Sequence, residues 1–75
     1  MNKERRNKIN DLINRLENIS SEIEEIKDEE ESYKDSMPEN LQNSSKMDAA
    51  EQACTSLDDA YSAIQDCVSN LSDIE

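Results

Sequence analysis

Glycine, histidine, phenylalanine and tryptophan are absent from this 75-residue chain, and Pro38 is its only proline. Each absence closes off a kind of structure or chemistry. Tight strand-to-strand turns favour residues comfortable at positive φ, glycine above all, so a glycine-free chain is poorly suited to a sheet. Glycine-rich phosphate-binding loops are excluded, as are calcium loops of the EF-hand type, which need a central glycine. Without histidine there is no Ser-His-Asp triad, no imidazole metal ligand and no general base of the usual near-neutral kind. Four-helix carboxylate metal sites call for Glu-x-x-His, which this chain cannot supply. Neither Cys54 nor Cys67 has a histidine to activate it. A glycosidase-type carboxylate pair works in a cleft, which two helices do not enclose. The chain therefore reads as a non-enzyme with no cofactor and no metal.

Apolar residues are also scarce, at 33% against 36% charged, a mixture that approaches disorder unless the few apolar side chains are arranged to meet. No run approaches the roughly 20 apolar residues of a membrane span. The charged start, Met1 to Lys8, is not followed by the apolar core of a signal peptide. A cytoplasmic location without membrane contact is expected. If Cys54 and Cys67 share a helix, the residues between them hold them about 20 Å apart at ~1.5 Å per residue. A disulfide needs Cα atoms within about 7 Å, so free and mostly packed thiols are expected.

What remains is strongly periodic. Ile9, Leu12, Leu16, Ile19, Ile23, Ile26 and Tyr33 follow alternating steps of three and four. This places Ile9, Leu16 and Ile23 at heptad position a, and Leu12, Ile19, Ile26 and Tyr33 at d, with Ile13 widening the stripe. A helix over about 3–34 is predicted. A second stripe, Met47, Ala50, Cys54, Leu57, Tyr61, Ile64, Val68 and Leu71, predicts another helix over about 45–74. Ala53, Ala60 and Cys67 lie seven apart beside that stripe, a row of small residues that another helix could approach closely.

Between the stripes, Pro38 disfavours helical geometry at Met37 and suits a first helical turn, so residues 35–45 form a turn with a short helical tip. Ser36 with Glu39, and Ser45 with Asp48, have capping-box spacing. So short a connection makes the helices antiparallel neighbours. Folding about residue 40 would set Ile26 against Cys54, Ile23 against Leu57 and Ile19 against Tyr61. The fold class expected is all-α: a single domain over residues 1–75, an antiparallel two-helix coiled-coil hairpin that dimerises through Ala53, Ala60 and Cys67 into a four-helix bundle.

The net charge of −11 is uneven. Residues 1–16 carry five cations against two acids, while residues 17–75 carry three lysines against seventeen acids. In a hairpin the basic start would lie beside Asp66, Asp73 and Glu75. Seven carboxylates fall within ten residues at Glu22, Glu24, Glu25, Asp28, Glu29, Glu30 and Glu31, interrupted by Lys27. Such a belt either solvates the helix or docks a basic protein, steering its approach in a salt-sensitive way. It argues against direct contact with nucleic acid. Met37, Pro38, Glu39 and Leu41 at the tip are candidates for shape recognition.

The opening Met1-Asn2-Lys3-Glu4-Arg5-Arg6, the run Asp28-Glu29-Glu30-Glu31 and, most specifically, Asp35-Ser36-Met37-Pro38-Glu39-Asn40-Leu41-Gln42-Asn43-Ser44 resemble small acidic helical proteins of phages and conjugative elements of gut Firmicutes. The resemblance covers nearly the whole chain, although Cys54 and Cys67 are not part of the pattern. It carries no activity or functional residue across. It implies a mobile-element setting in a bacterial host, where short acidic proteins often inhibit or redirect a host protein. The leading expectation is an acidic module that modulates a basic protein, such as a nucleic-acid-binding or defence protein, by imitating DNA. The alternative is a structural coiled-coil subunit of a larger complex.

Overall fold

Asn2 opens the first helix, its side-chain oxygen accepting a hydrogen bond from the backbone N–H of Arg5 at 2.8 Å. This is the usual solution for an otherwise unpaired first-turn donor. In the computed structural model, which describes residues 1–74, α1 runs from Lys3 to Asp35 and α2 from Ser45 to Ser72. The helices pack side by side as an elongated hairpin whose Cα atoms span 60 × 14 × 12 Å, and no strand occurs among the described residues. Both helices lie within a residue or two of the ranges the periodicity predicts.

The chain leaves α1 at Ser36, whose N–H bonds back to the Ser32 carbonyl at 3.0 Å. Pro38 then enforces extended backbone before a single 3₁₀ turn over Glu39–Leu41. That turn does not continue into α2, because Ser44 intervenes as the N-cap with extended backbone. Neither expected capping box forms. Ser36 ends α1 instead of starting the tip, and Pro38 caps the 3₁₀ turn without a side-chain bond. Ser44, not Ser45, precedes α2, and its hydroxyl donates to the Leu41 carbonyl. The hydroxyl thus satisfies a carbonyl of the preceding turn, not a donor of the helix it introduces.

α2 meets α1 with the stripe its sequence announces. Ala50, Cys54 and Val68 are buried, while Met47, Leu57, Tyr61, Ile64 and Leu71 are half-buried. α1 departs from expectation. Its covered positions are Ile9, Ile13, Leu16, Ser20, Ile23, Lys27, Glu30, Glu31 and Lys34, whereas Leu12, Ile19, Ile26 and Tyr33 are between 42% and 52% exposed. The a positions do face α2. The d positions do not, and their place is taken by the residues one step later.

Two polar links explain the rotation. Gln65 Nε2 donates to the Ser20 hydroxyl at 3.1 Å, and that hydroxyl donates in turn to the Glu17 carbonyl at 2.9 Å. One heptad along each helix, Lys27 Nζ meets the Asp58 carboxylate at 2.7 Å. Both links require Ser20 and Lys27 to face α2. They also slide the pairing by about one turn from the expected register, so that Ile23 lies near Tyr61, not Leu57 alone, and Ser20 takes the place opposite α2 expected of Ile19. The slide brings the first turn of α2 beyond the end of α1, beside the tip, where Met37 is buried. Toward the tip α1 has no apolar seam residue beyond Ile23: Lys27, Glu30, Glu31 and Lys34 are its covered positions there, and their aliphatic stems can cover apolar surface while their charged ends reach water.

The adjacent serines test this placement. Ser20 is 3% exposed and Ser21 is exposed. Ser20→Asp is expected to destabilise the hairpin by more than about 2 kcal/mol, since it buries a charge and removes the hydroxyl that donates to the Glu17 carbonyl. Ser21→Asp should stay within about 0.5 kcal/mol of the parent. Urea melts followed by circular dichroism would check this, and equal effects at the two positions would refute the observed seam.

Candidate functional site

The carboxylates are the densest chemistry in the chain, and helix geometry divides them. At about 100° per residue, Asp48, Glu51, Asp58, Asp59, Asp66 and Asp73 share an arc of about 100° on α2. On α1, Glu24 and Asp28 lie on the corresponding side. With Lys27, Asp58 and Tyr61 they line a shallow groove of about 200 Å³, floored by Ile23 and Leu57. One long side of the hairpin is therefore acidic on both helices. The expected belt is only partly this surface. Glu22, Glu24, Glu25, Asp28 and Glu29 are exposed, while Glu30 and Glu31 are half-buried. Glu22 and Glu29 project by helical phase toward the flank of Ile19 and Ile26, away from the groove.

Sequence reading confined the acidic surface to α1 and missed the contribution of Asp58, Asp59 and Asp66. The signal was available in the phase of the α2 acids. It was obscured because those acids are spread along α2, not clustered in sequence.

Lys27 occupies the middle of the acidic side. Its ammonium bonds Asp58 at 2.7 Å and approaches Glu31 at 3.5 Å, and about three quarters of its side chain is covered. The hydrogen bond to Asp58 raises the Lys27 pKa above the ordinary lysine value, with Glu31 adding to the effect and desolvation opposing it. The link holds the helices together and tempers the local negative field without cancelling it.

At the tip, the burial of Met37 removes its side chain from the expected recognition surface. Pro38 and Glu39 are exposed there, and Leu41 is half-buried. Lys8 pairs with Glu4 at 3.7 Å and Arg15 with Asp11 at 3.6 Å, both within α1 and well exposed. Glu75 lies outside the described residues. Of the thiols, Cys54 is buried in the seam, but Cys67 is exposed, contrary to the expectation that both are packed.

The expected row Ala53, Ala60 and Cys67 flanks the α2 seam, with the two alanines half-buried. Helices of the same hand running in opposite directions lean the residue before each seam position to the same side of a hairpin. Leu12, Ile19, Ile26 and Tyr33 precede seam positions of α1, just as Ala53, Ala60 and Cys67 precede those of α2. One face therefore combines a ridge of large apolar side chains with a row of small ones, opposite the acidic side.

Among the described residues, no group of three or more histidine, cysteine or acidic side chains is arranged to hold a metal ion. Among the same residues, no helix is long and apolar enough to cross a membrane. Comparison with family models, curated proteins and solved structures finds no match to this chain.

The Lys27 link has a defined pH dependence. A raised folded-state pKa means that its stabilisation is fully present below the unfolded lysine value and is lost as pH rises through the folded value. The melting temperatures of the parent and Lys27→Met should therefore differ at pH 8 and converge as pH climbs beyond about 10.5. A difference that persists undiminished at pH 12 would show that the ammonium charge is not what links the helices.

Proposed function

We propose that this chain is a non-enzymatic interaction module whose acidic side docks a basic protein and modulates or inhibits it. The observation that carries the reading is the one-sidedness of the charge: Glu24 and Asp28 of α1 share a groove with Asp58 of α2, in phase with the other α2 acids. Carboxylates that served only to keep the chain soluble would need no common side. Arrayed along a rod 60 Å long, they suit a basic surface of the kind that binds nucleic acid. DNA imitation is the concrete form of this proposal, and Pro38 and Glu39 at the tip add shape. The resemblance to mobile-element proteins supports a setting of counter-defence or host takeover in the bacterial cytoplasm.

A second reading rests on a different observation. The exposed ridge of Leu12, Ile19, Ile26 and Tyr33 suits a structural subunit that joins a larger coiled-coil assembly. Salt separates the two, since contacts driven by the acidic side weaken steeply as ionic strength rises whereas an apolar contact does not.

The triple variant Glu24→Lys, Glu25→Lys, Asp28→Lys reverses exposed charges away from the apolar ridge. It is expected to keep its helical circular dichroism and to lose at least about tenfold in affinity for a basic partner captured from host lysate and identified by mass spectrometry. Double-stranded DNA should displace that partner from the unmodified protein, and about 0.5 M salt should release it. Binding indifferent to both charge reversal and salt would eliminate the acidic docking surface and leave the assembly reading.

A further inference from the structure

We infer that the apolar face is covered by a second copy of this chain, laid against the first with tip to open end, so that α1 meets α1 and α2 meets α2 across a two-fold axis. The inference stands whether or not the acidic side binds a basic protein.

The hairpin alone leaves its largest apolar side chains uncovered. Met37, Ala50, Cys54 and Val68 are its buried apolar residues, and no large side chain among the described residues is fully buried. Leu12, Ile19, Ile26 and Tyr33 stand outside that core in a row seven residues apart. The Ser20–Gln65 and Lys27–Asp58 links prevent the hairpin from turning this row inward, because the same rotation would bury or break them. One broad side of a body 60 Å by 14 Å offers on the order of 800 Å², the area that a standard specific interface takes from each partner. The small row of α2 permits close approach, and the flank beyond it, Ala49, Ser56 and Ala63, carries no charge.

Two face-to-face arrangements have two-fold symmetry. One sets tips together and lays α1 on the partner's α2. The other sets tip against open end and lays like helix on like. Charge decides between them. The tip half, residues 23–62, holds twelve acids against three lysines, a net of −9. The open half, residues 1–22 and 63–75, holds seven acids against five cations, a net of −2. Tip-to-tip packing confronts −9 with −9. Tip-to-open packing relieves that repulsion, and it brings Arg15, on the flank of the ridge, to the level of Glu29 on the same flank of the second copy. Within the ridge, Leu12 comes level with Tyr33 and Ile19 with Ile26.

Sedimentation equilibrium should give a dimer, with a melting temperature that rises over a hundredfold range of concentration. A monomer melting identically over that range would overturn the inference. Ile19→Glu with Ile26→Glu should raise the dimer Kd by on the order of a hundredfold or more. Should that pair of changes abolish helicity, Ile26→Ser provides a milder readout in the same direction, and an unchanged Kd in a folded variant would exclude this face. Orientation has its own test. Arg15→Glu should weaken the dimer about fivefold, and adding Glu29→Lys to the same chain should restore it. If Arg15→Glu leaves the dimer unaltered, the tip-to-open arrangement is wrong. None of these changes falls on Glu24, Glu25 or Asp28, so failure here and failure of the acidic docking surface can be told apart.

Discussion

The structure depends on two polar links one heptad apart, Ser20 with Gln65 and Lys27 with Asp58. Apolar contacts between two helical stripes tolerate sliding and turning, because one leucine or isoleucine can replace another at little cost. A hydroxyl, an amide and an ammonium in the same seam do not, since each finds its partner in one register alone and is left partly desolvated in any other. Polar groups at seam positions are a recognised means of fixing the pairing of coiled helices. Here they set both how far α2 slides along α1 and which side of α1 it covers.

That placement has consequences for both faces. Turning Ser20 and Lys27 toward α2 leaves Leu12, Ile19, Ile26 and Tyr33 outside. It also brings Glu24 and Asp28 beside Asp58, in phase with the remaining α2 acids. The hairpin thus gathers Glu24, Asp28 and the α2 acids on one side and the apolar ridge on the other, with Glu22 and Glu29 at the ridge's flank. In the proposed reading, docking of a basic partner and pairing with a second copy use opposite sides and do not compete. The arrangement also suits the size of the chain. A body of 75 residues has little apolar surface to bury against itself, and a hairpin that shows much of it outward gains by adding a further layer.

Much of this could be read in advance, for identifiable reasons. The absence of glycine, the single Pro38 and two long runs of three-and-four spacing left little besides a helical hairpin. The end of the first helix followed from Pro38, and the remaining limits from where the stripes start and stop. The α2 seam was also legible, because a single stripe of consistent phase runs its length. α1 was not, because its apolar residues form a band wider than one partner helix can cover. Ile9, Leu16 and Ile23 belong to two equally good stripes, one completed by Leu12, Ile19 and Ile26 and the other by Ile13, Ser20 and Lys27. Composition favours the first stripe and the structure uses the second. The acidic surface was legible as a belt on α1 but not as a side shared with α2, since that depends on which α1 residues face inward.

Local chain physics thus settles the helices, the turn that joins them and their antiparallel course. These follow from backbone preferences and from periodicity within each segment, which no distant residue needs to supply. The facing of α1, the register of the pair and the division into an acidic and an apolar side belong to the packed structure. They depend on whether a hydroxyl at Ser20 and an ammonium at Lys27 find Gln65 and Asp58 across the seam, forty-five and thirty-one residues away. Hydrophobic periodicity records where apolar side chains fall around one helix. It does not record which polar ones another helix can satisfy.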